Sequence, residues 1–234
     1  MSYPGGKGNS FHKLINLMPP HDVYIEAFLG MGSVMRHKKP ASVANIGIDC
    51  DAAALAMFRE AGASSASASS TNTQLIQADA LDWLRRSPLV RQASTLLYLD
   101  PPYLMTTRKQ QRDLYRHEFG TEEEHRELVT VIRDLPCMVM ISGYPSPLYS
   151  SVLAGWTSTT FQAMTRGGTW ATEAIWMNYP TPIRLHDYQF LGEDFRERER
   201  IKRKISRWQG KLSNMSRLER QALLCALNEC APGS

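Results

Sequence analysis

Patterns that build metal sites and disulfide frameworks are missing from this chain. Its four cysteines, Cys50, Cys137, Cys225 and Cys230, show no CxxC spacing, and its six histidines form no HExxH or paired-ligand pattern. Reduced thiols, a cytoplasmic setting and no metal are therefore expected. No apolar run reaches the length of a membrane span, and the start lacks the apolar core of a signal peptide, so no membrane partner is expected. Neither charge sign dominates: 27 Lys and Arg against 23 Asp and Glu leave a net +4. Composition alone therefore does not point to a polyanion. What is present, 234 residues with 43% hydrophobic and 21% charged content, suits one globular domain and a small appendage.

The most informative stretch is Leu96-Leu97-Tyr98-Leu99-Asp100-Pro101-Pro102-Tyr103. An apolar run reads as a short buried strand, and the two prolines end it because they cannot continue a central ladder. In an open α/β sheet, ligands sit beyond the carboxyl ends of the strands. Asp100 offers acceptor lone pairs there, Pro101 a carbonyl held in a rigid direction, and Tyr103 a flat ring. Together they suit a planar amino group whose N–H bonds are accepted on one side and whose ring is stacked.

The rest of the chain supplies further strands with functional ends. The opening Ser2-Tyr3-Pro4-Gly5-Gly6-Lys7-Gly8-Asn9 combines glycines, which allow close ligand approach, with a cation; a loose terminus is the alternative. A helix with Phe11, Leu14, Ile15 and Met18 on one face follows. Val23 to Val34 reads as a strand, a Gly30-Met31-Gly32 turn and a helix, an arrangement against which a small ligand can lie. The full GxGxxG fingerprint is absent, which argues against a nicotinamide dinucleotide. A strand over Val43–Ile48 ends at Asp49, placed to accept ribose hydroxyls, while Asp51 suits the cap of a helix over Ala52–Glu60. After the low-complexity stretch 61–73, a strand over Gln74–Ala78 ends at Asp79 and a helix runs from Ala80 to Arg86. Acids thus recur at strand ends: Asp49, Asp79 and Asp100, with Glu26 inside the first strand. Any one could be a helix cap; all on one rim make a site.

Beyond Tyr103, the cationic stretch Leu104–Gly120 reads either as a solvated loop or as a segment closing over substrate. Thr121-Glu122-Glu123-Glu124 gives a capping box for a helix to Leu135. Cys137–Ser142 is a fifth buried strand, a short helix follows Pro145, and Phe161–Met164 and Glu173–Asn178 form an antiparallel pair joined across Arg166-Gly167-Gly168.

In this order SYPGGKG, YIEAFLGMGSV, IGIDCD, LLYLDPPY and YRHEFGTEEEHREL resemble the Dam-type DNA N6-adenine methyltransferases over roughly residues 1–180. The resemblance implies an α/β, Rossmann-like class I methyltransferase. Such a fold has a mixed, mostly parallel seven-stranded sheet with helices on both faces, here with a C-terminal helical extension. It implies S-adenosyl-L-methionine as cofactor, double-stranded DNA as partner and a bacterial or phage origin. It places Tyr3, Lys7, Glu26, Phe28, Gly30, Gly32, Asp49, Asp79 and Asp100 at the cofactor and Asp100, Pro101, Pro102 and Tyr103 at the target base. The expected reaction is methyl transfer to the N6 amine of a flipped-out adenine in a specific DNA sequence, as in restriction-modification. RNA adenine, or a non-catalytic nucleic-acid-binding module, are the alternatives. One departure stands out. The long recognition insertion that Dam carries before its Asp-Pro-Pro-Tyr strand is missing, since only about seventy residues separate Gly30 from Asp100.

A division into a methyltransferase domain, 1–190, and a basic helical segment, 191–234, is expected. From Glu193 to Ser234 there are ten cations and six anions, net +4. Phe195, Ile201, Ile205, Trp208 and Leu212 are spaced as a helical stripe, and a second helix is expected from Met215 to Cys230. These helices pack on the domain, contact phosphates or form a homodimer; the sequence leaves the three open.

Overall fold

The computed structural model describes residues 10–63, 73–103, 119–164 and 169–230. The first unit, Met1–Asp187, is built on a seven-stranded sheet. Its strands are β1 (Val23–Ala27), β2 (Ala44–Asp49), β3 (Thr73–Gln77), β4 (Thr95–Leu99), β5 (Met138–Gly143), β6 (Thr157–Met164) and β7 (Trp170–Met177). Their order is β3-β2-β1-β4-β5-β7-β6. The first five are parallel, while β7 runs antiparallel to both β5 and β6. This strand order, with its one reversed strand, is that of the Rossmann-like class I methyltransferase fold.

Strands buried on both faces read as continuous apolar runs, and β1 and β4 are buried at every position. Val23, Ile25 and Ala27 join Leu97, Leu99, Val139 and Ile141 in a core against three helices, α4 (Ala80–Arg86), α5 (Glu122–Arg133) and α6 (Pro147–Val152). The alternate residues Tyr24 and Glu26 face the other side. There α1 (Phe11–Ile15) and α2 (Ser33–His37) supply buried Leu14, Ile15, Val34 and Met35. A further helix, α3 (Ala52–Ala63), joins β2 to β3.

The observed ends differ from the sequence expectation in the antiparallel pair. β6 starts four residues earlier than expected and β7 three, because pairing with a neighbour, which sequence pattern does not show, extends both strands. Arg166-Gly167-Gly168, Tyr3, Lys7 and the greater part of Leu104–Gly120 lie outside the described residues.

The second unit, Tyr188–Ser234, consists of α7 (Phe195–Ser213) and α8 (Arg217–Cys230). At about 100° per residue, Ile201, Ile205, Trp208 and Leu212 of α7 fall on one stripe. Phe195, expected there, lies well off it, because six residues to Ile201 are neither one turn nor two. No residue of α7 is buried.

The α5 capping box is complete: Glu124 N–H donates to the Thr121 hydroxyl at 3.3 Å, and Thr121 N–H donates to the Glu124 carboxylate at 3.0 Å. Thr121→Ala is expected to lower unfolding free energy by about 1 kcal/mol. Urea unfolding would show a lower midpoint with an unchanged slope.

Candidate active site

Parallel direction puts the carboxyl ends of β1 to β5 on one rim, and strand order reverses between β1 and β4, the position where open α/β sheets bind ligands. Asp100 follows β4 directly, and its N–H donates to the Ala27 carbonyl at 3.5 Å, tying the Asp-Pro-Pro-Tyr turn to the end of β1. The Ser142 hydroxyl, from the end of β5, donates to Asp100 Oδ1 at 3.0 Å. The Tyr98 hydroxyl lies 2.9 Å from Ser142 Oγ on its other side, and the Leu99 carbonyl is a second acceptor at 3.4 Å. A chain from Tyr98 through Ser142 to Asp100 orients the carboxylate.

Pro101 is buried and Tyr103 half-buried at the same rim. Tyr103 donates to Glu173 Oε1 at 3.1 Å, and its ring lies on Tyr144 with centroids 4.1 Å apart at 35°. Glu173 reaches this rim because β7 is reversed: Ala174 pairs with Gly143, so Glu173 is the first β7 residue beyond the end of β5. A small cavity of about 10 Å³ lies among Pro101, Tyr103, Ser142 and Tyr144, with His125 and Tyr149 behind them. That volume admits one water and no base. A base stacked on Tyr103 must displace Tyr144 or use the opposite face of the ring.

The adjoining loop from β1 to α2 is held by backbone geometry. Phe28, Gly30 and Gly32 have φ of 61°, 50° and 59°. For Phe28 such a value is strained, and its ring packs 5.0 Å from that of Phe119. A Cβ on Gly32 would come within 2.3 Å of the Phe58 ring, so glycine is required there for space as well as for conformation. Asp49, at the end of β2, accepts Gly30 N–H at 2.8 Å through Oδ2 and Asp51 N–H at 2.9 Å through Oδ1. Asp49 thus fixes the glycine loop. Asp51 accepts from Ala53 N–H at the start of α3, and Asp79 caps α4 by accepting from Asp82 N–H at 2.9 Å.

Glu26 is buried behind this loop. Its Oε2 accepts from the Tyr24 hydroxyl and from Met35 N–H, each at 2.9 Å. Burial, with a smaller contribution from the charge of Asp100, pushes its carboxyl up from 4.5 to about 8, against the opposing hydrogen bonds. Burial also lowers Lys38 to about 7; its Nζ donates to the Lys39 carbonyl and sits 4.0 Å from the Tyr24 ring centre. The buried Tyr149 phenol is held protonated by burial and by Asp100.

Of the residues singled out in the sequence, Glu26, Phe28, Gly30, Gly32, Asp49, Asp100, Pro101 and Tyr103 come together around the β1–β4 junction. Asp79 follows β3, at the far edge of the sheet, as a helix cap. Sequence reasoning missed Ser142, Tyr144 and Glu173, and the supporting His125 and Tyr149, joined at 2.8 Å. The one available signal was the end of the fifth strand, where an apolar run stops at Ser142-Gly143-Tyr144 much as β4 stops at Asp100. Among the described residues, no group of three His, Cys, Asp or Glu side chains could hold a metal ion. No helix among them is long and apolar enough to cross a membrane.

The Glu26 shift has a consequence for stability. The folded protein keeps this proton up to pH of about 8, the unfolded chain only to 4.5. Folding therefore takes up a proton between those values, and stability falls as pH rises through that window. Glu26→Gln keeps an acceptor for Tyr24 and Met35 but cannot ionise. Its melting temperature, measured without ligand, is expected to fall less than the wild type's across the window and to exceed it above pH of about 8.

No family model matches this chain, and no curated protein does. Among solved structures it is similar to a SAM-dependent methyltransferase from Agrobacterium tumefaciens, at 11% identity and a TM-score of 0.49, covering 72% of this chain and 60% of that one. It is also similar to an rRNA methylase from Streptococcus thermophilus, at 11% identity and a TM-score of 0.47, covering 75% and 98%. A third is TrmK of M. capricolum in complex with S-adenosyl-homocysteine, at 7% identity and a TM-score of 0.47, covering 94% of each chain. These scores lie below 0.5, and the fold assignment rests on strand order and direction.

Proposed function

We propose that this chain is a Dam-type DNA adenine methyltransferase, moving the methyl group of S-adenosyl-L-methionine to the N6 amine of an adenine flipped out of the duplex. The observation that carries the reading is Asp100, set by Ser142 at the sheet's topological switch, between a tight glycine loop and an aromatic wall.

The residues present fit the cofactor. Burial, and to a smaller degree the charge of Asp100, raise the Glu26 pKa, and a cationic ligand beside the two carboxylates relieves such a pair. Glycines at 30 and 32 leave the backbone bare at those two positions of the loop. Glu26, Phe28, Gly30, Gly32, Asp49 and Asp100 would hold the cofactor, and Tyr3, Lys7 and Asp79 remain part of the proposed set by family resemblance. When bound, it supplies an electrophilic methyl group on a sulfonium.

Toward the base, Asp100 and the Pro101 carbonyl would accept the two N–H bonds of the exocyclic amine. Adenine's amine is a weak nucleophile because its lone pair is delocalised into the ring. Two acceptors on one side favour a pyramidal nitrogen with the pair directed away from them. Asp100 is also the acceptor for the proton that a methylated nitrogen sheds. Tyr103 holds the ring by stacking, and Pro102 stiffens the turn. Positioning and fixed dipoles carry the rate, with no covalent enzyme intermediate. Unstacking the base costs a few kcal/mol.

Asp100→Ala is expected to lower single-turnover methyl transfer by about a thousandfold or more while leaving the melting temperature nearly unchanged. Ser142→Ala, which removes one hydrogen bond to Asp100 and the partner of the Tyr98 hydroxyl, should lower it about tenfold. Plasmid DNA, read by modification-sensitive sequencing, and an RNA transcript of the same sequence are the two substrates to compare. Full activity of the Asp100 variant would remove that residue from the mechanism, and methylation of the transcript alone would replace DNA by RNA.

A further inference from the structure

The residues of α7 divide by charge as well as by hydropathy. The helix carries eight cations and two anions over Phe195–Ser213. At about 100° per residue, Arg196, Arg200, Arg203, Lys204, Arg207 and Lys211 fall within one arc of about 100°. All six are exposed. Neither acid lies inside the arc: Glu197 and Glu199 flank it on opposite sides. Glu197 pairs with Arg200 at 3.1 Å and Glu199 with Lys202 at 4.0 Å. Exposed pairs of this kind are worth under about 1 kcal/mol and leave the arc strongly positive. The apolar stripe of Ile201, Ile205, Trp208 and Leu212 occupies a separate sector.

From Arg196 to Lys211 the helix rises about 22 Å at 1.5 Å per residue. One strand of a duplex presents a phosphate about every 3.4 Å, hence about six over that length, matched by six cations. Four of these are arginines, whose planar fork fits phosphate oxygens in pairs. A helix lying in a membrane surface buries a broad apolar face, whereas α7 sets four stripe residues against eight cations.

We infer that this basic face of α7 is a contact surface for the phosphate backbone of duplex DNA. The choice of DNA as the occupant rests on the proposed function. The surface supplies affinity and orientation without reading sequence, in a chain that lacks the recognition insertion of its resembled family.

The test uses the full chain, a mixed-sequence duplex of about 30 base pairs and fluorescence anisotropy across a salt series. Combined Arg196→Gln, Arg203→Gln, Lys204→Gln and Arg207→Gln should weaken binding at least tenfold at about 0.1 M salt and reduce the slope of log affinity against log salt by about 3 to 4. A variant with Arg196→Lys, Arg203→Lys and Arg207→Lys should keep the slope, and unchanged binding of S-adenosyl-L-methionine by calorimetry shows that the first unit is folded. An unaltered slope in the glutamine variant overturns the inference. So does charge-dependent binding confined to anionic phosphatidylserine vesicles, with duplex affinity untouched. Failure of the two readings is distinguishable. Duplex binding that loses its slope, with no methyl incorporation, keeps the surface and sinks the methyltransferase reading. Methylation with an unchanged KM for DNA does the reverse.

Discussion

Parallel strand direction is the constraint on which the rest of this molecule depends. A parallel pair needs a crossover between strands, so each of β1 to β5 delivers its carboxyl end to the same rim. The glycine loop after β1, Asp49 at the end of β2, Asp100 after β4 and Ser142-Gly143-Tyr144 at the end of β5 share the rim for that reason. The single reversed strand, β7, adds Glu173 to the same rim. The Ser142 hydroxyl, at 3.0 Å from Oδ1, helps to set the direction of the Asp100 carboxylate.

The price of this arrangement is buried charge near the sheet's centre. Tyr24, Glu26, Lys38 and Asp100 share the region, and burial drives Glu26 and Lys38 toward their neutral forms. The hydrogen bonds of Glu26 to Tyr24 and Met35 N–H, and of Lys38 to the Lys39 carbonyl, make that polar cluster tolerable in the folded state. A ligand with a positive group would shift the balance back toward ionised Glu26. Affinity for such a ligand and the protonation of Glu26 are therefore linked quantities.

The second unit adds a different kind of surface. The rim of the sheet offers groups in fixed geometry, whereas α7 offers density of charge with little directional detail. Long-range attraction from such a surface does not discriminate between sequences, whereas short-range hydrogen bonds select individual atoms.

Local chemistry alone determined much of this. Apolar runs ending in Asp49 and Asp100, the Gly30-Met31-Gly32 turn, the capping box at Thr121 and the helices at Ala80 and Phe195 are short-range features, readable because their causes lie within a few residues. Asp51 as a cap was legible for the same reason. Tertiary structure decided what spans the sheet: that Asp49 holds Gly30, that Ser142 orients Asp100, that Tyr144 and Glu173 flank Tyr103, and how far β6 and β7 extend. Those depend on which strand lies beside which. Neighbours in a crossover sheet are separated by tens of residues, and no periodicity within one strand names its partner.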